Sequence, residues 1–336
     1  GIACEYDELG RVSRLAYLDH SGNPTTTKIG LAGKQYRYDE RGNPISTKWV
    51  DLQGEGVLNA WGAASEVAEY DAYGNRISGV YFGIDDQPSI CKYGYAEYKL
   101  HYDARGNMTC QDYLGLDGKP VVRADGYAAY RANYDDRGNL ARIEYYGADG
   151  KITITGYGYA ALELSYDGRG NPVRLAYFGV DGKPVVQKNG YASTALKYDE
   201  QGNVTYVASF DTEGKPMLND QGVAAVKRGY DERGNTVYES FLDADGKPTL
   251  HKDGFSTVKS EHDQRGNITK QIYFDSEGKL VMHKYGNAIV EFKYDDQGNQ
   301  IRQEYKGLDG SSTICRGGFA TVEWKYESGN KTHEAY

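Results

Sequence analysis

Apolar residues alternate with polar ones over short stretches that recur along the whole chain. Ala128, Tyr130, Ala132 and Tyr134 are separated by Ala129, Arg131 and Asn133, and Ala288, Val290, Phe292 and Tyr294 by Ile289, Glu291 and Lys293. A period of two with mostly polar residues between predicts half-buried β-strands. Most of these stretches end at Asp-x-x-Gly-Asn, as at Asp135, Gly138 and Asn139. In such a turn the Asp side chain accepts backbone N–H bonds and the Gly takes the positive φ of a tight hairpin. A second strand is then expected, for example from Leu140 to Tyr146. Asp-Gly-Lys-Pro (Asp117, Gly118, Lys119, Pro120) makes the next turn and opens a short apolar run such as Val185-Val186. Proline cannot donate to a ladder, so it suits the first residue of a short or edge strand. Gly-Tyr-Ala (Gly126, Tyr127, Ala128) then turns the corner into the next alternating stretch. No helical periodicity competes.

These elements recur with a fixed period. Tyr-Asp stands at Tyr6, Tyr38, Tyr70, Tyr102-Asp103, Tyr134, Tyr166, Tyr198, Tyr230 and Tyr294, always in steps of 32 residues or a multiple, with His262-Asp263 and Tyr326-Glu327 in the two remaining places. Counting each of these as place 0, Gly recurs at places 4, 16 and 24, as Gly106, Gly118 and Gly126 do after Tyr102; Asn107 follows the first. A single meander of this length buries too little apolar surface to stand alone, so each unit must stack on its neighbours. The expected fold is all-β: tandem 32-residue repeats, each a three-stranded antiparallel meander, stacked into an elongated β-superhelix or solenoid. The ring at place 0 is expected to join the shared core, with its hydroxyl on a carbonyl or water near the turn. The 336 residues form one continuous array, 1–336, of about ten and a half repeats. Neither end carries the atypical polar repeat that closes most arrays, so a segment of a longer protein is expected.

The period accounts for a composition that is otherwise strange. Gly 43 and Tyr 32 are the excess residues, and places 4, 16 and 24 absorb most of the glycines. A mean hydropathy of −0.71 alone would suggest disorder, but aromatics at 13% argue against it. A net charge of −9 argues against nucleic acid, which needs clustered Lys and Arg. No apolar stretch is long enough for a membrane-spanning helix, and no targeting segment is visible.

Tyr-Asp-x-x-Gly, followed by a strand and then Asp-Gly, resembles the YD repeats of Rhs proteins, teneurins and Tc toxins; Gly10-Arg11 after Tyr6-Asp7 matches that motif best. The familiar repeat is shorter and lacks the Lys-Pro run and the Gly-Tyr-Ala corner. The chain also resembles bacterial surface arrays with Asp-Gly-Lys-Pro repeats. The first resemblance implies a β-shell around cargo; the second implies a stalk, fibre, filament or adhesin at the cell surface.

Chemistry is spread evenly over the repeats, and no catalytic constellation stands out, so no enzyme and no cofactor are expected. Cys4, Cys91, Cys110 and Cys315 lack the spacing of a zinc site. Cys91 and Cys110 lie in consecutive units and could bridge two stacked strands in an oxidising compartment; isolated thiols are the alternative. His251 and His283 occupy equivalent places but supply too few ligands for a metal. Asp243-x-Asp245-Gly246 is similar to a calcium loop without the closing Glu, and turn chemistry explains it. Trp61, Tyr93, Tyr157 and Tyr285 each precede the Gly at place 24. Such corner rings could stack on sugars or hold choline-like cations, or pack between units. The function expected is a structural or interaction segment of a long extracellular or cell-surface protein, in contact with neighbouring copies or further repeats. A carbohydrate- or cell-wall-binding module and a toxin-delivery shell are the alternatives.

Overall fold

The computed structural model describes residues 1–219, 221–327 and 330–335. Twenty-two strands lie among them, from β1 (Ile2–Tyr6) to β22 (Asn330–Ala335), with no helix. The chain divides into two compact units, Gly1–Glu163 with Phe178–Lys183, and Leu164–Tyr177 with Pro184–Tyr336. Within each unit, successive strands pair antiparallel in chain order.

Two kinds of contact alternate. Inside a repeat boundary, β7 (Glu97–Tyr102) and β8 (Met108–Leu114) form a hairpin of six pairs, from Glu97↔Leu114 to Tyr102↔Met108. Between hairpins, β8 meets β9 (Ala129–Tyr134) over only three pairs, Cys110↔Arg131, Gln111↔Tyr130 and Asp112↔Ala129. Strand β9 then forms the next hairpin with β10 (Leu140–Tyr146). Alternation divides the side chains. Tyr98, Leu100, Tyr113, Tyr130 and Ala132 share one face, and Lys99, His101, Cys110, Asp112 and Arg131 the other.

The hairpin turn has the chemistry its sequence implies. Asp103 Oδ1 accepts the N–H groups of Arg105 and Asn107, each at 2.9 Å, and Oδ2 accepts Asn107 Nδ2–H at 2.9 Å. Gly106 has φ +84° and donates to the Asp103 carbonyl at 3.1 Å. The extra turn residue shifts the register between His101 and Tyr102, as a bulge at a left-handed glycine does. The Tyr102 hydroxyl donates to the Arg76 carbonyl at 2.8 Å, and Tyr38, Tyr70, Tyr134, Tyr198, Tyr230 and Tyr294 repeat the bond 26 residues back. His262 cannot; its buried Nδ1 has no partner.

Ten turn acids, from Asp7 to Asp295, are held below the usual carboxylate range. For nine of them, Asp103 included, the first cause is the hydrogen bond from the turn Asn side chain; for Asp7 it is the Arg11 backbone N–H. A folded-state pKa below the unfolded one stabilises at neutral pH and is lost as pH falls through the folded value. Urea midpoints measured against pH should therefore be flat above about pH 5 and fall steadily below about pH 4.

The third strand expected in each repeat is a single bridge instead. Leu114 bridges Pro120, Phe82 bridges Pro88 and Leu242 bridges Pro248; Val121 N–H then donates to the Tyr113 carbonyl at 3.0 Å. Proline is not the limit, because Ile152 and Leu280 form the same lone bridge. The turns at Gly118 and Gly126 lie so close that only a few residues run extended between them. This bridged segment covers the tyrosine face, with Val121 packed on the core.

All 29 described glycines at places 4, 16 and 24 have positive φ, and no other described glycine does. Asp86 alone breaks the pattern, standing at place 16 with φ +55°. A left-handed non-glycine residue costs about 1–2 kcal/mol, and the flexibility of Gly in the unfolded chain takes back part of that. Asp86→Gly should raise stability by about 0.5–1 kcal/mol, read as a higher urea midpoint at unchanged slope.

Candidate functional site

The core is a column of rings contributed by places 11 and 25 rather than by place 0. Place 11 lies near the end of each second strand, as Tyr113 does in Met108–Leu114, and place 25 follows the corner glycine. In the first unit, centroids of Tyr81, Tyr95, Tyr113, Tyr127, Tyr145 and Tyr159 follow one another at 5.9, 4.7, 5.9, 4.8 and 5.9 Å. The place 0 rings, expected in this core, are only half-buried, and Tyr6 is exposed. The reason is geometric: they end the strand at the hairpin turn, beyond the reach of the covering segment. Arg123 enters the column with its side chain 15% exposed, donating to the hydroxyls of Tyr113 (2.9 Å) and Tyr127 (3.1 Å) and pairing with Asp125 at 2.6 Å. Burial pushes the Tyr81 phenol up to about 12, and those of Tyr95, Tyr98 and Tyr113 higher still. These phenols stay protonated and act as hydrogen-bonding core groups.

Glu66 is the one buried acid among the described residues. Its Oε1 accepts the Tyr98 hydroxyl at 2.8 Å, and its Oε2 pairs with Arg76 Nη2 at 2.9 Å. Its two oxygens are thus both committed.

None of the four corner rings is buried. Trp61 is 45% exposed and meets Trp49 edge-on at 6.4 Å. Tyr157 and Tyr285 are both 55% exposed, stacked on Tyr159 and His283 respectively. Tyr93 is half-buried between the Lys92 ammonium and the Arg123 guanidinium, each 5.3 Å from its ring. A ring already facing protein cations suits stacking on a neutral ligand better than capture of a ligand cation. Several neighbouring corners are joined by one backbone bond, such as Lys92 N–H to the Trp61 carbonyl (2.8 Å) and Ala124 N–H to the Tyr93 carbonyl (2.8 Å).

Two grooves open where the column lacks a ring. In the first unit, Leu31 stands at place 25 between Tyr17 and Trp49, and a groove of about 470 Å³ runs beneath Trp61; the buried Asn59 Nδ2 lines it without a partner. In the second unit, Asn287 stands at place 25 between Tyr273 and Tyr305, and a groove of about 530 Å³ lies beside Tyr285. Place 25 holds Tyr in Tyr95, Tyr127, Tyr159 and Tyr191. Ala63 and Val223 depart from it as Leu31 and Asn287 do, and are buried without lining either groove, so a missing ring alone does not mark a groove.

A second surface comes from the short apolar runs, which apolar character alone does not divide into inward and outward residues. Place 20 carries Leu58, Ile90, Val122 and Ile154 in the first unit, and Val186, Leu218, Leu250, Met282 and Ile314 in the second. All nine are between 36% and 70% exposed. Places 19 and 21 point inward, so this residue points out by simple alternation.

All four cysteines are free, as the isolated-thiol reading has it, and Cys91 and Cys110 form no bridge in this structure. Cys91 packs in the aromatic column, whereas Cys110 lies on the opposite face of the sheet and donates to Asp112 Oδ2 at 3.1 Å. His251 and His283 flank Phe255 at 5.9 and 5.4 Å. Their Nδ1 atoms accept the N–H groups of Asp253 and Tyr285, so both serve the corner turn. Asp243 Oδ1 likewise accepts from Asp245 and Lys247 within its turn.

No protein-family model and no curated protein matches the chain. Among solved structures it is similar to the TcdB2-TccC3-Cdc42 complex (TM-score 0.24, 13% identity, 99% of this chain and 20% of that one). It is also similar to TcdB2-TccC3 without its hypervariable C-terminal region (TM-score 0.23, 12% identity, 98% and 22%). A porin-like protein from Bacteroides uniformis follows (TM-score 0.18, 9% identity, 90% and 87%). The chain spans about a fifth of the length of the two TcdB2-TccC3 chains.

Proposed function

We propose that this array is a non-catalytic structural and interaction segment of a longer extracellular or cell-surface protein, and that its partner is a second copy of the same array. The exposed aliphatic at place 20 carries the reading. Burying a side chain of this size is worth about 1.5–3 kcal/mol, and the row repeats with the 32-residue period. A surface with the same period satisfies every contact at once, and another stretch of this array has that period. Wild-type protein should associate with rising concentration in sedimentation experiments, and Leu218→Glu/Leu250→Glu should weaken association at least about tenfold with an unchanged circular dichroism spectrum. A wild type that stays monomeric, or a variant that associates equally well, sinks the reading. In a toxin-delivery shell the same row would face cargo, and the variant would lose cargo retention while its sedimentation stayed constant.

The two grooves favour a second reading, carbohydrate binding. Each sets an exposed ring, Trp61 or Tyr285, beside further aromatic and apolar side chains on which a sugar face could stack. Glycan-array binding lost in Trp61→Ala would support it; an array without hits counts against it.

A further inference from the structure

The charged face of the sheet holds ordinary ion pairs within and across strands, such as Arg142 with Glu144 on its own strand and Glu163 on the next, or Arg302 with Glu304 and Glu323. One hairpin differs. His101 of β7 lies directly opposite Cys110 of β8, and Asp112 stands two residues on, on the same face. The imidazole, thiol and carboxylate ligand atoms lie within 4.8 Å of one another. We propose that His101, Cys110 and Asp112 form a site for one divalent transition-metal ion of the zinc class.

Geometry carries the proposal. Tetrahedral zinc with bonds of about 2.0–2.3 Å to nitrogen, oxygen and sulfur sets its ligand atoms about 3.4–3.6 Å apart. Cys110 Sγ is 3.1 Å from Asp112 Oδ2, and His101 Nε2 is 3.7 Å from that same oxygen. The third side, from Sγ to Nε2, is at most 4.8 Å, so side-chain movement of about an ångström or less closes the triangle around an ion.

The carboxylate is already oriented. Asp112 Oδ1 is held at 2.9 Å by Arg131 Nη2 from β9, which turns Oδ2 towards the thiol and the imidazole. Metal ligands are commonly fixed by such outer partners. The Lys99 ammonium, whose residue lies opposite Asp112 in register, pairs instead with Glu97 at 3.4 Å. Cys110 is buried while His101 is exposed, so three protein ligands bind from the sheet side and a water can fill the fourth, solvent-side position. On binding, the Cys110 thiol gives its proton to solvent as the metal–sulfur bond forms. The mixed soft and borderline donor set selects zinc-like ions over magnesium or calcium. Linear spacing hides the site, since His101 and Cys110 come together only through hairpin register.

Anaerobic titration of the full, reduced and chelator-stripped chain with Co²⁺ tests this. One equivalent should bind with intense tetrahedral visible bands and a sulfur-to-cobalt charge-transfer band in the near ultraviolet, and Zn²⁺ should bleach both. Cys110→Ser should abolish the charge-transfer band, and His101→Ala should weaken binding at least about tenfold. Arg131→Gln, a positioning change, should weaken it about tenfold while keeping the band. A variant with Cys4, Cys91 and Cys315 all changed to Ser should keep the spectrum of the wild type. No binding, a weak octahedral spectrum, or a charge-transfer band that survives Cys110→Ser overturns the proposal.

Discussion

Tyr113→Ala is expected to destabilise the first unit by about 3–5 kcal/mol, the range for deleting a buried aromatic ring. Tyr113 is 3% exposed, with the Tyr95 and Tyr127 rings at 4.7 and 5.9 Å. Its loss opens a gap on both sides of the column at once. It also removes one acceptor of the Arg123 guanidinium, which lies 4.9 Å over the same ring. Because a repeat leans only on its neighbours, hydrogen exchange should rise first in β7, β8 and β9. Two further variants separate the causes. Tyr113→Phe keeps the ring and should cost only about 1 kcal/mol, the net worth of a hydrogen bond. Tyr102→Ala removes a half-buried ring and should cost less than Tyr113→Ala. A cost below about 1 kcal/mol for Tyr113→Ala would mean that the column does not hold the unit together.

Turn chemistry and period are local properties, and they were readable in the residues. The Asp103 turn, the bounds of β10 and the hydroxyl-to-carbonyl bond of place 0 all follow from side chains within a few bonds of the feature, or from one constant step. What was not readable depends on how far one segment reaches over another. Alternation assigns Tyr113 and Tyr102 to strands without saying which of them the bridged segment covers. The same limit hid the exposed place 20: a run such as Val185-Val186 reads as wholly apolar, yet only one of each pair can face the core. Register is the other missing term. His101 and Cys110 look unrelated along the chain until the hairpin sets them opposite each other. Both grooves are departures from the repeat, and Asn287 at place 25 could have flagged one of them once the column was known.

Ala128→Leu is expected to cost about 3 kcal/mol, the upper part of the range for overpacking. Ala128 stands at place 26, where the chain leaves the corner and enters the sheet. Its N–H donates to the Tyr146 carbonyl at 2.7 Å, and its carbonyl accepts the Tyr113 N–H at 2.9 Å. Two hairpins are therefore tied to this one residue, and its side chain is 1% exposed. Every described repeat keeps the place small: Ala64, Ala96, Ala160, Ala192, Ala224 and Ala288 are all at most 2% exposed. Ser256 is the one larger residue among the described repeats, and its fully buried Oγ has no hydrogen-bond partner. Even one added oxygen is thus shut off from both solvent and an acceptor. Three added carbons have only one way out, which is to push the backbone away and break one or both ties. The checks are the urea midpoint and the exchange rates of the Ala128 and Tyr113 amides. Fast exchange at both, with slow exchange kept at the Asp103 turn, identifies the corner tie as the contact that was lost. A stable variant with both amides protected would show instead that the corner can widen without loss.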